Sequence, residues 1–350
     1  MLFHQCYWCF YEVWLQLQDM LPELAQLQQL IASAPQALRT EILATVPHMA
    51  EQLPLYALSL GNPDPALPAV VLVGGVHGLE RIGTQVVLAY LQTLLERLPW
   101  DSCLQHTLQH CCIYFIPLLN PAGMANGWRS NGNSVDLMRN APVECEEGAA
   151  WLVGGHRFSR AIPWHRGQPD QMETKSQALV GFISRELLQR PFSLVLDCHS
   201  GFGRTDRIWF PYAKSARQPI AHLAEMYRLR QLFFQTYPYQ NYIFEPQSQH
   251  YLCHGDLWDY LYDQALAHHT TMLPLTLEMG SWNWVRKNPF QLLSSLGMFH
   301  PVKPHRVKRV LRSHLILINF LINASLSYQN WLPLTNRNQL NSAANKLWYQ

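Results

Sequence analysis

Three polar residues follow apolar runs of this sequence in a pattern that is typical of a metal site. His77 and Glu80 stand three residues apart, directly after an apolar run and two glycines, and His199 ends a second apolar run. Two imidazoles and one carboxylate leave the fourth position of a tetrahedral zinc ion open, as in catalytic zinc sites. The pattern predicts one zinc ion per chain, held by His77, Glu80 and His199.

A solitary carboxylate, Glu278, ends a third apolar run. A zinc ion polarises a carbonyl and lowers the pKa of a water that it binds from about 16 to about 7, so a base is needed to take the proton. The apolar neighbours Leu277, Met279 and Trp282 predict a raised pKa for Glu278, because burial disfavours the charged form. We therefore predict that Glu278 is the general base, with an arginine nearby to stabilise the oxyanion.

Each of these residues also has an ordinary structural explanation. An HxxE spacing often arises by chance, a histidine after a strand is often a hydrogen-bonded core residue, and a glutamate there is usually solvated. The metal site is favoured because all four residues lie just past the carboxyl ends of apolar runs, where open α/β sheets bind ligands. The ligand types restrict the choice of divalent metal to zinc-like ions without fixing it.

Composition and charge point to a small or peptide-like substrate. The chain has 350 residues, 14% of them charged, and a formal net charge of +2. These values predict neither nucleic acid nor a membrane as a partner, and they leave the oligomeric state open. The first residues lack a signal-peptide pattern, which predicts a cytoplasmic protein without an anchor. The lone CxxC of Cys6 and Cys9 has no second pair and no βαβ pattern after it, so we predict that it is neither a metal site nor redox-active.

Short apolar runs alternate with helix-like segments along most of the chain. The predicted strands are residues 53–60, 69–76, 111–119, 194–198 and 273–277, and the predicted helices are residues 83–98, 174–189 and 220–237. This alternation predicts an α/β fold, a single large domain with a mixed, mostly parallel central sheet flanked by helices on both faces. Residues 120–167 are rich in Gly, Pro, Asn and Arg, which is typical of a long loop that lines an active site.

The two ends of the chain have weaker patterns. Residues 14–50 have Gln-rich helical patterns, and we predict a helical extension over residues 1–52, before a catalytic domain over residues 53–325 and a tail over residues 326–350. Residues 303–324 have apolar positions at helical spacing, which predicts an amphipathic helix docked on the domain. Its basic residues are interpreted as a solvated face.

Residues 120–140 contain two further motifs, Trp128-Arg129 and Met138-Arg139. Together with HGLE at His77–Glu80, the strand-end His199 and the Thr-Leu-Glu that ends at Glu278, they appear in the order found in the zinc carboxypeptidase family. The chain resembles this family of metallopeptidases from about residue 69 to residue 282.

The resemblance implies a role for each matching residue. It makes His77, Glu80 and His199 the zinc ligands, Glu278 the general base and Arg129 the residue that polarises the scissile carbonyl. The family's Asn-Arg pair, which grips the terminal carboxylate of the substrate, falls on Met138 and Arg139. Met138 has no donor, so a strict requirement for a free C-terminal carboxylate is in doubt. The family's mobile tyrosine corresponds to Tyr251, with Tyr239 and Tyr242 as competing positions.

Three functions are compatible with these motifs. The first is hydrolysis of a peptide-type amide bond near a carboxylate-bearing end, by a metallocarboxypeptidase or peptide amidase. The second is deacylation of N-acyl amino acids, because residues 197–203 also resemble the related succinylglutamate desuccinylases and aspartoacylases. Asp197 is a candidate to orient the residues around the metal, although the alternation of side chains along a strand is equally compatible with the opposite direction. The third, a catalytically silent scaffold, is disfavoured because all the ligands, the base and both arginines are present.

Overall fold

Apolar runs supply the strands of one mixed sheet. The computed structural model describes residues 21–350 except residues 202, 294, 333 and 334. The strands, in chain order, are β1 Arg39–His48, β2 Glu51–Gly61, β3 Ala69–Gly74, β4 Cys112–Ile116, β5 Phe192–Ser200, β6 Arg207–Phe210, β7 Ile243–Pro246 and β8 Thr271–Met279.

Helices fill most of the connections between these strands. The α-helices among the described residues are α1 Pro22–Ser33, α2 Arg81–Arg97, α3 Ser102–His110, α4 Pro121–Ala125, α5 Thr174–Leu187, α6 Leu223–Thr236, α7 Leu257–Ala267, α8 Trp282–Lys287, α9 Ser295–Phe299, α10 Pro304–Leu326, α11 Tyr328–Trp331 and α12 Arg337–Trp348. Short 3₁₀ turns lie at Leu137–Arg139, Gln247–Gln249 and Pro289–Leu293.

The strand order across the sheet is β1-β2-β4-β3-β5-β8-β6-β7. The four central strands β4, β3, β5 and β8 are parallel to one another, whereas the β1–β2, β2–β4 and β8–β6 pairs are antiparallel. Parallel strands end at the same edge of a sheet, so the residues that follow β3, β5 and β8 lie close together. The predicted α/β fold with a mixed central sheet is confirmed.

Alternate residues of the central strands pack against helices on opposite faces. Leu72 of β3 belongs to an apolar cluster with Leu91 of α2 and Leu317 of α10, and its neighbour Val71 belongs to another cluster with Leu261 of α7. Each of these side chains is fully buried or nearly so, and each such burial stabilises the fold by about 1.5–3 kcal/mol. These two layers hold the central strands rigidly beneath the residues at their carboxyl ends.

The predicted helical extension is wrong in part. Residues 22–33 are helical, but β1 is a strand that pairs antiparallel with β2, from Arg39 opposite Ser59 to His48 opposite Glu51. β-Branched residues such as Thr40, Ile42 and Val46 favour extended backbone, and pairing with β2 decides the outcome. The segment predicted as residues 1–52 therefore shares its sheet with the segment that follows. Cys6, Cys9 and the rest of residues 1–20 lie outside the described residues.

The C-terminal segment packs on the same domain. The amphipathic helix predicted over residues 303–324 is α10, whose apolar face is buried against the sheet. Beyond it, the indole of Trp348 in α12 packs edge-on against Phe210 of β6 and donates from Nε1 to the Phe244 carbonyl oxygen over 2.8 Å. None of the helices in the described part of the chain combines the length and the apolar character needed to cross a bilayer.

Candidate active site

The turn after β3 positions His77 and Glu80. β3 is buried along its whole length and ends at Gly74. Gly75 then has a φ of +64°, a conformation that glycine adopts without strain, and α2 begins directly after Glu80. Both side chains are only 3% exposed. The strand, turn and helix thus direct an imidazole and a carboxylate into one buried space.

His199 reaches the same space from β5. Because β5 is parallel to β3, with Gly74 opposite Cys198, His199 lies beside the turn. Its Nδ1 atom lies 3.0 Å from Oε2 of Glu80 and 3.2 Å from Nδ1 of His77. One ligand atom from each of the three residues lies within 4.8 Å of the others. The structure therefore brings together the three residues predicted as metal ligands.

A buried carboxylate orients each imidazole from behind. Nε2 of His77 lies 3.0 Å from Oδ1 of Asp136, and Nε2 of His199 lies 2.7 Å from Oδ2 of Asp197. When the Nε2 atoms carry the protons, both imidazoles donate to these carboxylates and keep the Nδ1 lone pairs free. Asp197 in turn accepts a hydrogen bond of 2.8 Å from the indole of Trp258. This is the arrangement that fixes the ring orientation of histidine metal ligands.

The donor set and its charge fit a divalent cation. The Nδ1 atoms of His77 and His199 lie 3.2 Å apart. When both atoms carry lone pairs they repel each other, and a cation bound between them removes this repulsion. Burial acts to raise the pKa of Glu80, but His77 and His199 lower it below its ordinary value. Burial acts to lower the pKa of His199, yet Asp197 and Glu80 raise it well above the usual range. The pocket thus stabilises a carboxylate and attracts positive charge.

Glu278 lies beside this cluster on the neighbouring strand. It stands opposite His199 in the parallel pairing of β5 and β8 and is partly exposed, whereas the ligands are buried. Burial of its carboxyl group and repulsion from Glu80 raise its pKa to about 7. Within the described residues its carboxylate has no hydrogen-bond donor or ion-pair partner. A carboxylate with this pKa and no fixed partner is suited to exchange a proton near neutral pH.

Arg129 contacts the cluster from the loop before Asp136. Its Nε atom donates to Oδ2 of Asp136 over 2.9 Å, and its Nη1 atom lies 3.4 Å from Oε1 of Glu80. Burial acts against its charge, but the carboxylates of Asp136 and Glu80 raise its pKa. The guanidinium is therefore charged and held at the edge of the ligand cluster.

Arg139 and Tyr251 form a second group at the site. Nη2 of Arg139 donates to the Tyr251 hydroxyl over 3.2 Å, and the guanidinium carbon lies 5.6 Å from the centre of the tyrosine ring. The other donors of Arg139 bind the carbonyl oxygens of Val153 and Met138. The two competing tyrosines lie elsewhere: Tyr242 contacts His314, and Tyr239 is 99% exposed. Tyr251 is thus the tyrosine that contacts a site residue.

Met138 lies next to Arg139 but does not share its role. Its side chain is 4% exposed and packs in the apolar cluster that includes Leu137, Leu257 and Trp258. Its backbone N–H donates to Oδ1 of Asp136 over 3.0 Å, so the residue helps to hold that carboxylate through its main chain. The side chain offers no donor to a ligand of Arg139.

Two residues of this site are not predicted from the sequence, Asp136 and Trp258. Asp136 is fully buried and contacts both His77 and Arg129, yet it was assigned no function. Trp258 has no sequence signal that sets it apart from other core aromatics, although its indole donates a hydrogen bond to Asp197. The only local signal was the position of Asp136 in the same irregular segment as Arg129 and Arg139. Asp197, a candidate from the sequence, does contact His199.

Comparison with known proteins agrees with this geometry. The family model described as zinc carboxypeptidase, Peptidase_M14, matches residues 24–291, which is more than half of the chain. This chain belongs to the zinc carboxypeptidase family. The family is zinc-dependent, and in this member of it the clustered His77, Glu80 and His199 are the residues placed to hold such an ion.

Individual relatives of this zinc carboxypeptidase family member align over shorter stretches. Carboxypeptidase SOL1 of Arabidopsis thaliana is 32% identical over 77 residues, which cover 22% of this chain and 16% of that protein. Carboxypeptidase E of Caenorhabditis elegans is 26% identical over 160 residues, or 42% of this chain and 33% of that protein. The aligned parts thus span a third or less of these relatives.

Solved structures show the same fold over most of the chain. Bovine thrombin-activatable fibrinolysis inhibitor, in complex with tick carboxypeptidase inhibitor, has a TM-score of 0.61 and 17% identity, covering 91% of this chain and 97% of that one. Carboxypeptidase A from Helicoverpa armigera has a TM-score of 0.64 and 19% identity, covering 86% and 71%. At these identities the likeness establishes the architecture alone.

Proposed function

We propose that this chain is a zinc-dependent hydrolase that cleaves a peptide-type amide bond near a carboxylate-bearing end of its substrate. The observation that carries this proposal is the convergence of His77, Glu80 and His199, with Glu278 on the adjacent strand. Membership of the zinc carboxypeptidase family supports the metal and the reaction class. One zinc ion per chain and a peptide or small amide as substrate complete the proposal.

The residues of the site divide the chemistry between them. A zinc ion held by His77, Glu80 and His199 would supply Lewis-acid polarisation of the scissile carbonyl. A carboxylate oxygen of Glu278 takes the proton of the attacking water and passes it to the nitrogen of the leaving amine, a role that its raised pKa supports. The guanidinium of Arg129 stabilises the negative charge that develops on the carbonyl oxygen.

Arg139 provides the contact with the end of the substrate. Its charge has no carboxylate partner within ion-pair distance among the described residues, and its donors bind only neutral oxygens. A substrate carboxylate that meets this guanidinium gains two parallel charge-assisted hydrogen bonds. The hydroxyl of Tyr251 lies beside the same guanidinium and offers a further polar contact. These features support cleavage next to a carboxylate.

Replacement of the base tests the mechanism. In Glu278→Gln, kcat should fall by about 10²–10⁴-fold, because the amide cannot accept the proton. Zinc content, measured on the purified protein, should stay at one ion per chain, since Glu278 is not a proposed ligand. Glu186→Gln, which changes a carboxylate on α5 that contacts Tyr114, serves as the matched control and should keep full activity. Full turnover in Glu278→Gln would refute the assigned base.

A substrate panel tests the bond that is cleaved. N-blocked dipeptides should release their terminal amino acid, whereas N-acyl amino acids such as N-succinyl glutamate should be cleaved slowly or not at all. Activity confined to the N-acyl amino acids would instead support the deacylase alternative, which uses the same ligand set. Absence of both activities in a zinc-loaded sample would favour a binding scaffold.

The sequence also predicts the class of substrate and the cellular location of this proposed hydrolase. The charge balance of the whole chain supports a small-molecule or peptide substrate without a nucleic-acid partner. The predicted cytoplasmic location is tested by fractionation of cells that express the full chain, in which the protein should follow a cytoplasmic marker. The oligomeric state carries no prediction.

A further inference from the structure

The charges of this chain are divided very unevenly along its length. Residues 281–350 contain nine lysines and arginines and no aspartate or glutamate, although the whole chain has a net charge of only +2. The segment begins just after β8 and includes α8 and α10. Because acidic side chains normally accompany basic ones on a protein surface, this segment concentrates positive charge in one region.

Part of this charge surrounds a cavity of about 540 Å³ between α8, α10 and the loop before β6. Among the described residues that line it, four are cationic and Asp206 is the only acidic one. The cations are Arg204, Lys287, Arg306 and Arg309. None of the residues proposed for catalysis or metal binding lines this cavity. Its volume is in the range of sites that bind small molecules.

The cations of the cavity are poorly neutralised. Within the described residues Arg204, Lys287 and Arg309 have no ion pair and no side-chain hydrogen bond, whereas Arg97, for example, pairs with Asp101 at 2.7 Å. Arg306 donates to the carbonyl oxygen of Trp284 and to Oε1 of Gln291, both neutral. Like charges close together repel, so an anion in the cavity would relieve their repulsion.

A buried imidazole that uses only one of its two ring nitrogens in a hydrogen bond within the described residues also lines this cavity. His314, a lining residue of α10, is 1% exposed, and its Nδ1 atom bonds the Tyr242 hydroxyl over 2.8 Å. Its Nε2 atom lies 3.7 Å from Oδ2 of Asp206, which is within ion-pair distance but too long for a hydrogen bond. A buried ring nitrogen that makes no hydrogen bond within the described residues is a position where a ligand oxygen would be stabilised.

We propose that this cavity binds a small molecule that carries a phosphate group. Arginine forks bind phosphate oxygens in a bidentate manner, and the two negative charges of a phosphate monoester offset more of the lining charge than one carboxylate would. Asp206 does not oppose this binding strongly, since its Oδ1 atom already accepts a hydrogen bond of 2.8 Å from the Gly280 N–H. A phosphate ion alone fills only part of the cavity, which leaves room for an organic group.

Calorimetric titration of the zinc-loaded full chain with inorganic phosphate and with phenyl phosphate tests the site. We expect saturable binding with a Kd of about 1 mM or lower for at least one probe. Tighter binding of phenyl phosphate indicates an organic phosphate ester as the ligand, and equal binding indicates inorganic phosphate. Failure of both probes to saturate overturns the proposal.

Paired variants show where the probes bind. Arg309→Gln and Lys287→Gln should each weaken binding by about tenfold, because each removes a charged donor of the lining. Arg312→Gln removes the same charge one turn along α10 and outside the lining, so it should change Kd by less than about twofold. Peptide hydrolysis should stay unchanged in all three. Equal weakening by Arg312→Gln, or binding that depends on zinc and not on Arg309, overturns the proposal.

Discussion

His77 and His199 on one side of the site, and Arg139 on the other, are held by different kinds of partner. Each imidazole has a fully buried carboxylate behind it, Asp136 or Asp197, at 3.0 Å or less. The donors of Arg139 bind two carbonyl oxygens and one hydroxyl, none of which is charged. Both groups are oriented by hydrogen bonds, but only the imidazoles are oriented by charges.

Because of this difference, the imidazole cluster is suited to bind a metal cation, and Arg139 is suited to bind the carboxylate of a substrate. In the ligand cluster Glu80, Asp136 and Asp197 outnumber the single guanidinium of Arg129, so two negative charges are left for a divalent ion to balance. At Arg139 the positive charge has no carboxylate partner among the described residues, and a carboxylate of the substrate can take that place. Asp136 and Arg139, which are three residues apart in the chain, thus serve opposite purposes. The negative charge of Asp136 supports a metal ligand, and the positive charge of Arg139 is placed to bind the substrate carboxylate.

The first test removes the negative charge of Asp197, the carboxylate that orients His199. Asp197→Asn should lower zinc affinity by about 10–100-fold, because an amide holds the imidazole less firmly and makes it a weaker base. Competition with a chelator of known affinity measures the change. Asp206→Asn, on the strand-end loop near His314, is the matched control and should keep the affinity of the parent protein. Unchanged zinc affinity in Asp197→Asn would show that the carboxylate has no influence on the metal.

Loss of the unneutralised charge gives the second test. Arg139→Gln should lower kcat/KM about tenfold to 100-fold for peptides with a free terminal carboxylate, the range for one charged hydrogen-bonding partner. Peptides with an amidated end should be affected far less, since they lack the group that Arg139 binds. Zinc content should not change. A similar loss for both peptide classes would assign Arg139 a structural role.

The third test uses pH, because the pKa values of Glu80 and Glu278 are shifted in opposite directions. His77 and His199 lower the pKa of Glu80, whereas burial and the charge of Glu80 raise that of Glu278 to about 7. Glu278 acts as a base only when deprotonated, so kcat/KM should fall about tenfold per pH unit below its pKa. A bound cation lowers this pKa, so the acidic limb should lie between the ordinary value of 4.5 and about 7. A profile that stays flat over this interval would exclude Glu278 as the titrating base.

Substitution of Met138 should change the kinetics and the stability least among these variants. Its side chain packs among apolar residues and offers no donor, so Met138→Leu should change KM by less than about threefold and the free energy of unfolding by less than about 1.5 kcal/mol. Steady-state kinetics and urea unfolding measure the two quantities. A large rise in KM for carboxylate-ended peptides would instead place the Met138 thioether in contact with the substrate.

Much of the sheet could be predicted because its central strands are continuous apolar runs. β3, β5 and β8 are buried on both faces, and such runs keep their strand pattern in any surroundings. The sequence around β1 favours a helix because its Gln-rich and Thr-containing neighbourhood is ambiguous, and only the pairing with β2 makes it a strand. The short strands β6 and β7 have four residues each, too few for a periodic pattern.

The sequence by itself determined which side chains stand at the ends of the buried strands, and hence that His77, Glu80, His199 and Glu278 would share one edge of the sheet. Local rules suffice for this, because strand ends follow from the apolar pattern and parallel strands end together. Only the tertiary structure decided which carboxylate supports each imidazole and that Arg139 has no charged partner in the part of the chain that the structure describes. Those contacts join residues far apart in the chain, such as His77 and Asp136, which are 59 positions apart, and no local pattern encodes them.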